Sequence, residues 1–77
     1  MKTLIEFILN RLVDFPEEVV VEEEIQDTSE VYTISVHSDD IGRVIGKQGS
    51  VINAIRTIAK IKAMKDGVHV TVNVADQ

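Results

Sequence analysis

The chain has 77 residues, enough for one small domain, and a hydrophobic content of 44% that favours a folded core over disorder. It contains no cysteine, which excludes disulfides and cysteine-based zinc sites, and no apolar run approaches the ~20 residues that a membrane-spanning helix needs. The absence of cysteine suits a reducing compartment, so a cytoplasmic location is expected. The formal net charge of −5 argues at first against a nucleic-acid partner.

The first predicted element is an amphipathic helix over residues 2–13, where apolar side chains recur at helical spacing. Phe15-Pro16 ends this helix, because the residue before a proline avoids helical backbone angles. Glu6 and Arg11 interrupt the apolar residues, so no signal peptide is expected at this end of the chain.

Two strands joined by a tight turn are predicted next. Residues 17–26 and 30–37 alternate apolar with polar side chains, as half-buried strands do, and residues 27–29 (Asp-Thr-Ser) have the composition of a turn. The short connection predicts an antiparallel hairpin. The side chains expected to face the core are Val19, Val21, Ile25, Tyr32, Ile34 and Val36.

The second half of the chain predicts two helices around a glycine-containing turn, and then a third strand. Residues 38–40 (Ser-Asp-Asp) favour a helix start, and residues 41–45 allow a helix of one or two turns. Ser50 is expected to cap a longer helix that runs to about Met64. Residues 68–74 alternate valine with polar residues and give the clearest strand pattern of the chain. The buried stripe expected for the longer helix comprises Val51, Ile52, Ile55, Ile58, Ala59 and the stem of Lys62.

The predicted order of elements is α-β-β-α-α-β, which is an α+β fold. Because two helices join the second strand to the third, these strands are expected to be parallel, in a three-stranded mixed sheet with three helices packed on one face. The other face is expected to be polar and to carry His37 and His69. We expect a single domain over residues 1–77, with a core over 30–74 and an N-terminal helix–strand extension over 2–26.

The charges are distributed unevenly along the chain. Residues 1–40 contain eleven acidic and two basic residues, whereas residues 41–65 contain six basic residues and no acidic one. A local field depends on where the charges lie, so the net charge does not exclude an anionic partner for the second half. The alternative is that these lysines and arginines are the solvated side of a helix.

The basic block contains a glycine motif, residues 41–52 (Ile-Gly-Arg-Val-Ile-Gly-Lys-Gln-Gly-Ser-Val-Ile). A nucleotide-binding P-loop is excluded, because Gly42 and Gly46 stand one residue too close and Gln48 occupies the position of the hydroxyl that binds magnesium. Two interpretations remain at this point: a tight turn between helices, and a turn whose missing side chains let phosphate groups approach the backbone.

Residues 44–52 (Val-Ile-Gly-Lys-Gln-Gly-Ser-Val-Ile) resemble the Val-Ile-Gly-x-x-Gly-x-x-Ile signature of KH domains. The predicted element order resembles the type II arrangement of that domain. With residues 4–6 (Leu-Ile-Glu), 14–16 (Asp-Phe-Pro) and 54–57 (Ala-Ile-Arg-Thr), the whole chain is similar to the KhpA family, the small single-KH-domain RNA-binding proteins of bacteria.

The resemblance implies binding of single-stranded RNA, with phosphate groups at the glycine turn. Lys47 would supply a mobile charge and Gln48 a hydrogen-bond donor, while the following helix adds its positive dipole end. Arg43, one turn earlier, is expected to reach a phosphate or a base edge. The predicted RNA-binding residues are Ile41, Arg43, Gly46, Lys47, Gln48, Gly49, Ser50 and Arg56.

The resemblance also implies pairing, since one domain without aromatic side chains near its turn should bind weakly. The expected partner is a second copy of the chain, a larger KH-containing protein of the KhpB type (also called Jag or EloR), or both; in that family the pair binds RNA and influences cell elongation and division. No catalysis, cofactor, metal ion, small-molecule substrate or membrane association is expected. The alternative is an interaction subunit whose main role is dimerisation, through the acidic hairpin of residues 22–30, Phe7 and Ile61.

Overall fold

The computed structural model describes residues 1–75 and contains three helices and three strands. Short 3₁₀ turns precede the first strand and flank the second helix. The predicted α+β class and the order α-β-β-α-α-β are confirmed. The last two residues of the predicted domain, 76–77, lie outside the described residues. The elements are α1 (Lys2–Asn10), β1 (Val20–Gln26), β2 (Ser29–Ser35), α2 (Ile41–Ile45), α3 (Ser50–Asp66) and β3 (His69–Val74).

The sheet has β2 at its centre, with β1 antiparallel on one side and β3 parallel on the other. The hairpin turn consists of Asp27 and Thr28, and Asp27 adopts a φ of 47°, a left-handed conformation that aspartate tolerates better than most residues. The segment α2–turn–α3 forms the crossover from β2 to β3, as predicted, and β3 is therefore an edge strand.

The helices cover one face of the sheet. Val21 pairs with Ile34 and Tyr32 with Val72, so these side chains share the covered face. The residues next to them in sequence point to the opposite, polar face. The buried core consists of Ile5, Leu9, Val21, Tyr32, Ile34, Val36, Val44, Ile52, Ile55, Ala59 and Val72.

Three predicted core positions are wrong. Ile25 is 57% exposed, because it pairs with Glu30 next to the hairpin turn, where the side chains of β1 beyond Val21 are all exposed. Ile58 is 44% exposed and Lys62 points to solvent, where its Nζ lies 3.0 Å from Asp66 Oδ2. The buried stripe of α3 instead follows Ile52, Ile55, Ala59 and Ala63.

The prediction that His37 lies on the open face of the sheet is also wrong. β2 ends at Ser35, and His37 caps the 3₁₀ turn Ser38–Asp40, where its Nδ1 accepts a 3.0 Å hydrogen bond from the Asp39 amide. Its ring stacks on Phe15, with the ring centroids 4.1 Å apart. His37 thus belongs to the packing between the α1–β1 connection and the start of the crossover.

Candidate functional site

The turn between α2 and α3 has a backbone that only glycine adopts without strain. Gly46 has φ 77° and ψ 170°, and a β-carbon there would lie 2.5 Å from Cγ2 of Val51 and 2.7 Å from its amide nitrogen. The Gly46 carbonyl accepts a 3.1 Å hydrogen bond from the Gly49 amide, which closes the turn. The first turn of α3 therefore packs directly against the glycine backbone.

Lys47 and Gln48 form the exposed tip of this turn. Gln48 adopts φ 56° and ψ 30°, which costs a non-glycine residue ~1–2 kcal/mol and is followed by a second left-handed residue, Gly49. Within residues 1–75 neither the Lys47 nor the Gln48 amide has a backbone hydrogen-bond partner. The tip thus offers two amide donors and one ammonium group to solvent.

The start of α3 differs from the prediction, because Gly49 rather than Ser50 is its N-cap and no side chain caps it. Ser50 is exposed at the first helical position, and its amide donates to the Lys47 carbonyl. The positive end of a 17-residue helix therefore borders the glycine turn without a side-chain acceptor.

Arg43 is held by carboxylates. Its Nη2 lies 2.9 Å from Asp14 Oδ2, and its Nε lies 3.6 Å from Asp40 Oδ1. Asp40 is fully buried and accepts 3.0 Å hydrogen bonds from the amides of Asp14 and Phe15. We call this group of four residues the corner clamp, since it fixes the α1–β1 connection to α2. Contact between Arg43 and RNA remains a prediction, and such a contact would compete with the clamp.

Ile41, which is the apolar side chain of the predicted site, is half-buried and packs against the core from the start of α2. Val44, on the same short helix, is fully buried. Packing of α2 thus explains the apolar residues before the turn without any ligand.

Arg56 connects α3 to the edge strand. Its Nε donates a 3.0 Å hydrogen bond to the carbonyl oxygen of Val72, and its Nη1 lies 3.4 Å from Oδ1 of Asn53. The Asn53 amide group in turn lies 3.4 Å from the place where a Gly49 β-carbon would be. Asn53 thus lies beside Gly49, and its contact with Arg56 leads along α3 to β3.

An open groove of ≈ 350 Å³ lies between α3 and the free edge of β3. At a rise of 1.5 Å per residue, Arg56 lies about 9 Å and Lys60 about 15 Å along the helix from Ser50. Lys47, Arg56 and Lys60 thus follow one another from the turn into the groove. The groove is lined by Arg56, Lys60, Val70, Thr71, Val72 and Asn73.

The three aromatic residues lie away from this groove, as expected from the sequence. Tyr32 is buried in the core, where its hydroxyl donates a 2.7 Å hydrogen bond to Glu30 Oε1. Burial, with the neighbouring Glu30 carboxylate, raises the pKa of Tyr32 well above its ordinary value. Phe15 stacks on His37, and Phe7 lies under the guanidinium of Arg11.

Among residues 1–75, no group of three or more histidine, cysteine, aspartate or glutamate side chains is arranged to hold a metal ion. No helix there is both long and apolar enough to cross a membrane.

Comparison with known proteins identifies the family. A family model described as "KhpA/KhpB, KH domain" matches residues 2–74. The chain belongs to this KH-domain family. A protein of Clostridium perfringens named RNA-binding protein KhpA is 43% identical over 74 residues, which are 96% of this chain and 99% of that protein. The proteins of the same name from Halalkalibacterium halodurans (42% over 76 residues, 99% of this chain and all of that protein) and Oceanobacillus iheyensis (50% over 58 residues, 75% and 77%) are also similar.

The family confirms the KhpA resemblance and the fold class, and the arrangement of strands and helices agrees with a type II KH domain. It also supports the prediction that the chain is not an enzyme, since the relatives are named as binding proteins. Which residues of this KH domain contact RNA stays a prediction. Sequence reasoning missed the contact between Asn53 and Arg56 and the edge of β3 as a groove wall. The strand edge could not be found because the order of strands in a sheet is not a local pattern.

Proposed function

We propose that this KH domain binds single-stranded RNA along the glycine turn, α3 and the free edge of β3. The observation that carries the proposal is the line of cationic and amide donors from the Lys47–Gln48 tip to Arg56 and Lys60, beside a turn without side chains at Gly46 and Gly49. The relatives are named as RNA-binding proteins, and these names support the proposal.

Phosphate groups fit the turn for steric and electrostatic reasons. The glycines let the backbone of a nucleic acid approach the exposed amides, and the positive end of α3 favours negative charge there. Lys47 adds a mobile cation. A KH turn of this kind holds about four nucleotides, whose bases would then lie along the groove toward Arg56 and Lys60.

Binding by one copy should be weak and sensitive to salt. Few cations line the glycine turn and the groove, so each phosphate contact contributes a large share of the affinity. The affinity should therefore fall as the salt concentration rises. No aromatic side chain of residues 1–75 lines the groove, so stacking, worth ~1–3 kcal/mol per base, does not assist.

A second copy of the chain would compensate by avidity. The side of α3 opposite its core stripe carries large apolar residues, Ile58, Ile61 and Met64, with 44%, 64% and 72% of their surface exposed. A helix face of this kind can pack on itself around a two-fold axis. We include such a homodimer in the proposal. Light scattering of the wild type and Ile61→Glu tests it, and a wild type that stays monomeric at high concentration contradicts it.

The proposal extends to the setting that the resemblance implied. The protein would act in the cytoplasm, alone or with a larger KH protein of the KhpB type, in RNA regulation linked to cell elongation and division. The description of the family model, which includes both KhpA and KhpB domains, supports the choice of partner. In the alternative, dimerisation is the main role and RNA contact is secondary.

The double substitution Lys47→Asp with Gln48→Asp tests RNA binding. Both side chains are exposed, and aspartate tolerates the left-handed backbone of Gln48, so the fold should persist. A matched control, Lys2→Asp with Thr3→Asp, gives the same change in net charge on α1, which packs against β1. Titration of labelled RNA should show binding abolished by the turn variant alone. Equal affinity for both folded variants would refute the role of the turn.

A further inference from the structure

We propose that the Asp14 carboxylate occupies Arg43 in the free protein and competes with RNA phosphate for its guanidinium. The inference rests on the proposed binding of RNA and concerns the regulation of that same site. It adds Arg43 to the cations that contact RNA, and it makes Asp14 a positioning residue whose carboxylate lowers the affinity.

Arg43 lies on the helix that leads into the glycine turn. At a rise of 1.5 Å per residue it is about 4.5 Å along α2 from Gly46, and 55% of its side chain is exposed. The Gly46 amide donates a 2.8 Å hydrogen bond to the Gly42 carbonyl, so Gly42 borders the turn as well. A β-carbon on Gly42 would have nothing within 4 Å, so the packing of the fold does not require a glycine there. An RNA backbone that continues from the turn along α2 would therefore meet no side chain at Gly42 and the guanidinium of Arg43 beside it.

Two carboxylates hold Arg43, and only one of them is exchangeable. Asp40 is fully buried, lies 3.6 Å from Nε of Arg43, and accepts two backbone amides that keep it in place. Asp14 Oδ2 lies 2.9 Å from the outer nitrogen, Nη2, and 62% of the Asp14 side chain is exposed. Among residues 1–75 the Asp14 carboxylate pairs with no other cation. Asp14 can thus leave Arg43 while Asp40 still anchors the base of the guanidinium.

A phosphate group can take the place of the Asp14 carboxylate. Both groups present oxygen acceptors in the geometry that a guanidinium recognises. An ion pair between exposed side chains is weak, because water and salt screen it, so the exchange costs the protein little. Before the exchange, two carboxylates surround one guanidinium, and this part of the corner clamp opposes an anionic ligand. Removal of the Asp14 charge should therefore strengthen RNA binding.

Asp14→Asn tests the competition, because it removes the charge and keeps the size of the side chain. The Asp14 amide that donates to Asp40 is unchanged, so the fold should persist. Anisotropy titrations with a short, fluorescein-labelled single-stranded RNA of random sequence should show about two- to fivefold tighter binding than the wild type, the factor that an exposed ion pair is worth. Asp39→Asn is the matched control, since it removes the same charge near α2 from a residue that pairs with His37. It should leave the affinity near the wild-type value.

Arg43→Gln shows whether the gain depends on Arg43. The glutamine amide can still donate to Asp40, so the buried carboxylate keeps a partner. In this background Asp14→Asn should bring no gain in affinity. Arg43→Gln should also flatten the slope of log affinity against log salt by about 0.7, the value for one phosphate contact of a single strand. A purely structural arginine would leave that slope unchanged. Thermal melting checks that each variant is folded, and the comparison of Asp14→Asn with Asp39→Asn decides if Arg43→Gln is not.

The outcomes distinguish this inference from the proposal on which it rests. If the wild type binds no RNA, the proposed function itself is refuted. If the wild type binds and Asp14→Asn binds no more tightly, or if Asp39→Asn gains as much, then RNA binding stands and the competition is refuted. A gain that persists with Arg43→Gln, or an unchanged salt slope in that variant, refutes it as well. A gain that is specific to Asp14 and requires Arg43 supports the inference.

Discussion

Gly46 and Val51 are so close that a β-carbon on Gly46 would lie 2.5 Å from Cγ2 of Val51. The turn and the first turn of α3 therefore form one packed unit, and the absence of a side chain at Gly46 is a requirement of the fold. Gly49 differs, because its nearest neighbour, Asn53 Nδ2, would be 3.4 Å from an added β-carbon.

Gly46→Ala should lower the free energy of unfolding by about 2 kcal/mol or more, since the positive φ and the contact with Val51 both oppose a side chain. Urea denaturation measures this. Gly42→Ala is the matched control, because it lies within α2 with nothing within 4 Å of an added β-carbon, and should stabilise by ~0.5–1 kcal/mol. A Gly46→Ala protein as stable as the wild type would contradict the packing described.

Gln48→Gly should stabilise the domain by about 1 kcal/mol, because Gln48 has a left-handed backbone (φ 56°) that glycine adopts without strain. Lys47→Gly is the control at the neighbouring position, which is not in the positive-φ region, and it should destabilise slightly. Chemical denaturation of the two variants side by side tests the difference. Equal effects at both positions would mean that Gln48 is not strained.

Asp40→Asn should cost about 2–3 kcal/mol of stability. The buried carboxylate accepts two backbone amides, and an asparagine would point its own NH₂ group at one of these donors. Asp39→Asn, at the exposed neighbouring position, should change stability by less than ~0.5 kcal/mol. Melting temperatures of the two variants provide the comparison, and similar values for both would show that the corner clamp does not stabilise the fold.

Stability should fall at alkaline pH because of Tyr32. Burial raises the pKa of Tyr32 above 10.0 in the folded protein, whereas in the unfolded chain the phenol ionises near that value. The unfolded state thus loses more protons above pH 10, so the contribution of Tyr32 is fully present below pH 10 and is lost as the pH rises further.

Tyr32→Phe should reduce this alkaline loss of stability. Since Tyr32 is the only tyrosine of the chain, tyrosinate absorbance should appear together with the loss of folded circular dichroism. Ionisation with an ordinary pKa in a protein that remains folded would show that burial does not protect the phenol.

Local patterns predicted the elements of this fold well. Alternation of valine with polar residues located β3, turn composition at 27–29 located the hairpin, and the glycine spacing located the turn between the helices. Errors occurred where a partner distant in sequence decides the outcome. The helix start at residues 38–40 was predicted correctly, but the burial of Asp40 was not, because its hydrogen-bond partners lie 25 and 26 residues away.

In the candidate site, too, local features could be predicted and contacts between distant segments could not. The glycine turn and its charged tip could be predicted, because they form one contiguous segment. The pairing of Arg43 with Asp14 and the hydrogen bond from Arg56 to Val72 could not, because both join segments whose relative position depends on the packed sheet. Carboxylates hold Arg43, whereas a backbone carbonyl and an amide oxygen hold Arg56, and the sequence alone does not show this difference.

The crossover topology has a thermodynamic consequence. One wall of the groove is α3 and the other is β3, and β3 is attached to the rest of the sheet only through its parallel pairing with β2. A ligand that bridges both walls binds only while β3 is in place, so its binding energy adds to the energy that holds this strand in the sheet. Amide exchange in β3 should therefore slow more than exchange in the β1–β2 turn when the groove fills, which makes the last strand the natural reporter of occupancy.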